Sequence, residues 1–66
     1  MNANQNIFRD QENIFIHLKL VDDLAYQYSV ENRDAFNMQI VLRAHGFDFT
    51  YELAEKQIEV ALELAA

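Results

Sequence analysis

Apolar residues recur along this chain at helical steps. From Ile14, the positions Leu18, Val21, Ala25 and Tyr28 follow at intervals of four, three, four and three. That spacing makes one stripe of an amphipathic helix. Asp10 suits the start of this helix, because its carboxylate accepts from the free N–H groups of a first turn. Glu12 suits the positive end of the dipole, and Ser29 suits a stop. A second helix follows, with Phe36, Ile40, Val41 and Ala44 as its apolar face and Met38 and Leu42 off that stripe. A third carries Ala54, Ile58, Ala61, Leu62 and Ala65 inward, with Leu53, Val60 and Leu64 beside them. The pattern predicts helices over about 10–29, 31–45 and 50–65, packed as a three-helix bundle. One domain spans 1–66, with 1–9 flexible.

The stretch "RAHGFDFTYEL" holds the only glycine. Gly46 closes the second helix, since glycine takes the left-handed conformation without a Cβ clash. Arg43 and His45 put positive charge on the negative end of that helix. Thr50 starts the third helix as its N-cap, and Phe49, just before it, acts as a hydrophobic staple. A rival reading is α+β, a central helix with a small antiparallel sheet. Phe47, Phe49, Tyr51 and Leu53 alternate, as do Ile14 to Leu20 and Ile58 to Leu64. The absence of proline and the single glycine favour helices, because small β domains need turn residues.

Length sharpens the picture. A chain of 66 residues buries only about 60% of its unfolded surface. With no cysteine, disulfides and thiolate metal sites are excluded. Stability must come from close helix packing or from association, and 52% apolar residues suit both. The formal net charge of −6 argues against direct nucleic-acid binding and against adsorption to an anionic membrane. No run is long and apolar enough for a membrane helix, and "MNANQNIF" lacks the features of a secretion signal. The expected location is cytoplasmic.

No catalytic constellation emerges, and no enzyme activity is expected. One Ser and one Thr are accounted for as helix-end residues. His17 and His45 lack partners at metal-ligand spacing, so neither metal nor cofactor is expected. Asp22 and Asp23 are neighbours pointing about 100° apart on a helix, a solvated pair. The third helix differs: Glu52, Glu55, Glu59 and Glu63 recur at steps of three, four and four. Glu55–Glu59 and Glu59–Glu63 repel by a few tenths of a kcal/mol each. Such a face suits a basic partner. Eight aromatics exceed what so small a core hides, and Phe47 and Tyr51 join the candidate protein-binding residues.

At "VLRAHGFDFTYEL" the chain resembles the nitrogen-fixation-associated leader-peptide family of Nif-eleven type. The resemblance rests on Gly46, Phe47, Asp48, Phe49, Thr50, Glu52 and Leu53 after an apolar helix, and covers roughly residues 12–55. It implies a small helical recognition handle, either a leader recognised by a peptide-modifying enzyme or a stand-alone protein. The chain has no Gly-Gly, which sets it apart from leaders cut after that pair.

The residues therefore predict a small acidic helical module that binds another protein with a basic or apolar surface, or a second copy of itself. The alternatives are an acidic phage-type inhibitor, anti-CRISPR-like, that occupies a nucleic-acid groove, and the leader-peptide domain.

Overall fold

The computed structural model describes the backbone of residues 2–65 and the side chains of residues 11–65. The chain forms α1 (Asn2–Leu20), α2 (Leu24–Glu31), α3 (Ala35–Ala44) and α4 (Tyr51–Ala65). The fold is all-α, with four helices rather than three. No strand occurs among the described residues, so the α+β alternative is corrected, residues 47–53 included. No helix among them is long and apolar enough to cross a membrane.

The predicted helix over 10–29 is two helices. α1 already begins at Asn2, because neither proline nor glycine interrupts residues 2–20. Asp10 therefore lies within α1 and not at its start. The expected flexibility of residues 1–9 concerns side chains, and at Met1 the backbone too, that lie outside the described residues.

The break comes at Asp23, which takes an extended conformation and caps α2. Its carboxylate accepts from the N–H groups of Ala25 at 2.8 Å and Tyr26 at 3.1 Å. A short carboxylate competes with the helical backbone for those donors, and here it interrupts the helix. The break resets the helical phase. Asn13, Ile16 and Leu20 face inward on α1, and Tyr26 and Ser29 on α2. Leu18, Val21 and Tyr28, expected on the inner stripe, are exposed.

The next turn also differs from the expected 31–45 helix. Glu31 ends α2 and does not open the following helix. Asn32 caps α2, Arg33 adopts φ +50°, and Asp34 caps α3 by accepting from the Asn37 N–H at 2.9 Å. The Asp34 N–H reaches back to the Ser29 carbonyl at 2.9 Å and the Arg33 N–H to Val30 at 3.2 Å. This is a Schellman closure with arginine where glycine is usual. A left-handed L-residue costs about 1–2 kcal/mol, and glycine returns about 0.5–1 kcal/mol of that as unfolded-chain entropy. Arg33→Gly is therefore expected to stabilise the fold by about 0.5–1 kcal/mol, raising the thermal midpoint by a few degrees. An unchanged or lower midpoint would contradict the strain at Arg33.

The α3–α4 connector follows expectation. Gly46 takes φ +91°. The Phe47 N–H returns to the Leu42 carbonyl at 2.8 Å and the Gly46 N–H to Arg43 at 3.0 Å, the same Schellman pair. Thr50 Oγ1 accepts from the Leu53 N–H at 3.2 Å. Phe49 is half-buried and packs against the core. Gln39 Nε2 donates to the Phe49 carbonyl at 3.1 Å and holds the connector to α3.

On α3 the predicted apolar face is largely reversed. Met38 and Leu42 are fully buried, whereas Phe36 is 66% and Ile40 54% exposed. α3 carries two apolar faces, and the tight turn at Arg33 decides which one meets the core. Ala44 is exposed and Val41 buried. On α4, Ala54, Ile58 and Ala61 are buried as expected and Leu62 is half-buried, whereas Ala65 is exposed and Val60, expected beside the stripe, is buried together with Gln57. α4 packs against each of the other helices, α2 and α3 also pack on each other, and α1 packs chiefly on α4.

Candidate protein-binding surface

The outer side of α4 is acidic. At 100° per residue, Glu52, Glu59 and Glu63 fall within about 40° of one another, and Glu55 lies about 60° to one side. All four are exposed. Residues 54, 57, 58 and 61 occupy the opposite side and build the core. Tyr51 is 51% exposed at the start of the helix, off the Glu face. Phe47 belongs elsewhere: it is half-buried against the core. Its place follows from the Schellman return to Leu42, which turns the chain inward. The structure thus brings three of the six candidates onto one face, sets Glu55 and Tyr51 beside it, and leaves Phe47 half-buried in the connector.

The other helices carry apolar side chains outward. Phe15 and Leu18 on α1, Leu24 and Tyr28 on α2, and Phe36 and Ile40 on α3 are all more than half exposed. Each pair is spaced by three or four residues, so each forms a ridge on its own helix. Lys19 Nζ sits 5.2 Å above the Phe15 ring, a cation–π contact that covers part of the α1 ridge.

A buried polar chain joins three helices inside. Gln57 Nε2 donates to the Asn13 carbonyl at 2.8 Å and to Tyr26 Oη at 2.8 Å. Tyr26 Oη lies 3.0 Å from His17 Nδ1. Asn13 O only accepts, so it fixes the orientation of the Gln57 amide. Both Nε2 hydrogens are then used, and the Tyr26 hydroxyl donates onward to His17. In the neutral ring, Nδ1 accepts and Nε2 carries the hydrogen. Burial pushes the Tyr26 phenol up to about 12 against a lowering hydrogen bond from Gln57. Asn13 Nδ2 and Gln57 Oε1 are buried without a hydrogen-bond partner among the described residues.

His17 also borders an open cleft of about 180 Å³, lined by Val21, Tyr26, Gln27, Val30, Glu31, Ala61 and Ala65. Its wall residues come from three helices, and no spacing within one helix announces it. The other histidine pairs across the fold, with His45 Nε2 2.7 Å from Asp23 Oδ2. The Tyr26 backbone N–H first, and His45 second, hold the Asp23 carboxyl below its usual range. His45, expected as a dipole partner only, thus ties the end of α3 to the start of α2. Ser29 is likewise no stop: it is buried, donates to the Ala25 carbonyl at 3.1 Å and accepts from Asn37 Nδ2 at 2.7 Å.

Comparison of the chain with protein-family models, curated proteins and solved structures finds no match.

Proposed function

We propose that this chain is a non-catalytic protein-binding module that docks through the acidic outer face of α4 onto a partner with a basic surface. The observation that carries this reading is the division of α4: one side is core, and the other aligns Glu52, Glu59 and Glu63. Glu59 and Glu63 stand four residues apart and repel, and Lys56, four residues after Glu52 on the same side, offsets only part of that cost. Complementary charge across an interface offsets that cost, steers encounter and fixes orientation.

Reversing Glu52, Glu59 and Glu63 to Lys is expected to weaken binding about tenfold or more, which is about 1.4 kcal/mol, and to flatten its salt dependence. The partner is first captured with the wild-type chain, then purified, and its affinity measured against both proteins at several salt concentrations. Equal affinities would remove α4 from the interface.

A second reading is self-association. The six outward apolar residues on α1, α2 and α3 support it, since burying such ridges in a dimer would add the apolar contact a small chain lacks. Light scattering of the pure protein across a range of concentrations distinguishes the two, a constant monomer mass excluding self-association.

A further inference from the structure

We propose that the cleft at the ends of α1, α2 and α4 seats one lysine or arginine side chain of the partner protein. This rests on the reading of the chain as a protein-binding module and adds a second contact, on the side of α4 that carries Ala61 and Ala65 and faces away from Glu52, Glu59 and Glu63. The first consideration is size. At about 180 Å³ the cleft is well below the roughly 300–1,000 Å³ of cofactor and small-molecule pockets, so it suits a single long side chain.

The second is the lining. Val21, Val30, Ala61 and Ala65 are apolar, and Glu31 supplies the only carboxylate among the lining residues. Lysine and arginine match that arrangement. Their aliphatic stems lie along apolar surface while the charged head reaches a polar group at the rim.

The third is electrostatic and comes from the helix directions. His17 lies in the last turn of α1 and Val21 just beyond it. Val30 and Glu31 end α2. Ala61 and Ala65 close α4. The C-terminal turns of three helices therefore border one cleft, and their negative ends favour a cation, although Gln27 Nε2 donates to the Val21 carbonyl and the closing turn at Arg33 takes up the last carbonyls of α2. With Glu31 and a formal net charge of −6, the site favours a cation. His17 adds direction. Its Nδ1 is turned to Tyr26, so its Nε2–H points away from the buried phenol. That hydrogen suits a carbonyl oxygen of the incoming backbone, not the cation.

The test uses the whole chain, labelled with nitrogen-15, and a synthetic helical peptide of alanine and lysine. Two control peptides replace lysine by glutamate, or by diaminobutyrate, which keeps the charge and shortens the stem. The lysine peptide is expected to shift the amide signals of Val21, Val30 and Ala65 and the His17 Nε2 signal. The glutamate peptide should leave them in place, and the diaminobutyrate peptide should bind more weakly. Ala65→Leu, which fills the cleft from the exposed end of α4, is expected to weaken the lysine peptide at least tenfold, and Glu31→Gln about threefold. Both positions are exposed, so each variant offers an independent check should the other lose its fold.

Shifts confined to Glu52, Glu59 and Glu63, unaltered by Ala65→Leu, would overturn the cleft while leaving the α4 interface intact. Absence of binding, or equal binding of the shortened peptide, would also overturn it. Concentration-dependent shifts at the cleft without peptide would make a second copy of this chain the occupant and overturn the assignment to a partner.

Discussion

Leu42→Ala is expected to abolish cooperative folding at room temperature or leave a population that is largely unfolded. Leu42 is fully buried at the contact of α3 with α4, among Met38, Ala54 and Ile58. Removing a buried leucine to alanine costs about 2–5 kcal/mol, the lost transfer energy plus the cavity left behind. A single core in a domain this small rarely supplies more than about 3–5 kcal/mol, so one substitution removes most of the margin. Urea unfolding followed by circular dichroism measures it. Phe36→Ala is the informative companion. The apolar stripe of the sequence puts Phe36 in the core, whereas the structure leaves it 66% exposed. Its truncation is expected to stay within about 0.5 kcal/mol of wild type, as surface changes do. If Phe36→Ala proved the costlier of the two, the orientation of α3 would be wrong.

Tyr26→Phe is expected to cost about 1–3 kcal/mol, because deleting the hydroxyl leaves a hydrogen of the fully buried Gln57 amide unsatisfied. One hydrogen of Gln57 Nε2 and the acceptor of His17 Nδ1 both lose their partner. In a buried chain each bond polarises the next, so the loss exceeds that of an isolated hydroxyl. Tyr28→Phe, at an exposed position, is the control and should be near neutral. The phenol adds a pH signature. Its folded value of about 12 exceeds its ordinary 10.0 because of burial. A group raised on folding contributes its stability in full below its unfolded value and loses it as pH climbs to the folded one. Stability is therefore expected to fall between about pH 10 and 12, and that component should be missing from Tyr26→Phe. Urea midpoints of both proteins over this range measure it, and parallel curves would exclude Tyr26 as the source.

The features legible in the sequence are those set by local chemistry. Gly46 and Thr50 act within four residues of themselves, through a left-handed turn and a hydroxyl cap. The inner face of α4 is legible because its apolar and acidic positions fall on opposite sides, and the alignment of Glu52, Glu59 and Glu63 follows from spacing alone. The helix count was not. The stripe from Ile14 to Tyr28 keeps helical steps across Asp23, so periodicity hides a cap that the carboxylate makes with two N–H groups. Asp34 is hidden in the same way, one turn before an apolar run.

The interior needed information that no single helix holds. Phe36 with Ile40 and Met38 with Leu42 are both credible faces, and only the hairpin at Arg33 chooses between them. Gln57 and Asn13 look like surface residues by type, yet both are buried, and Gln57 links the Asn13 carbonyl of α1 to the Tyr26 hydroxyl of α2. Phe47 supports two readings from the sequence, connector anchor and binding residue, and its half-burial against the core agrees with the anchor. The cleft had no signal beyond two alanines four apart, Ala61 and Ala65, which also suit close packing.

The order of contacts along the chain has its own consequence. Ser29 bonds Asn37 across 8 positions and Gln39 bonds Phe49 across 10, whereas Gln57 reaches the Asn13 carbonyl across 44. Chain-closure entropy rises by about 0.6 kcal/mol with each doubling of loop length, so seating α1 on α4 is entropically the dearest step. The hairpin of α2 and α3 closes cheaply, but it forms only one wall. A half-assembled chain has no opposite wall, so the proposed cation cleft is complete only once α1 is seated on α4.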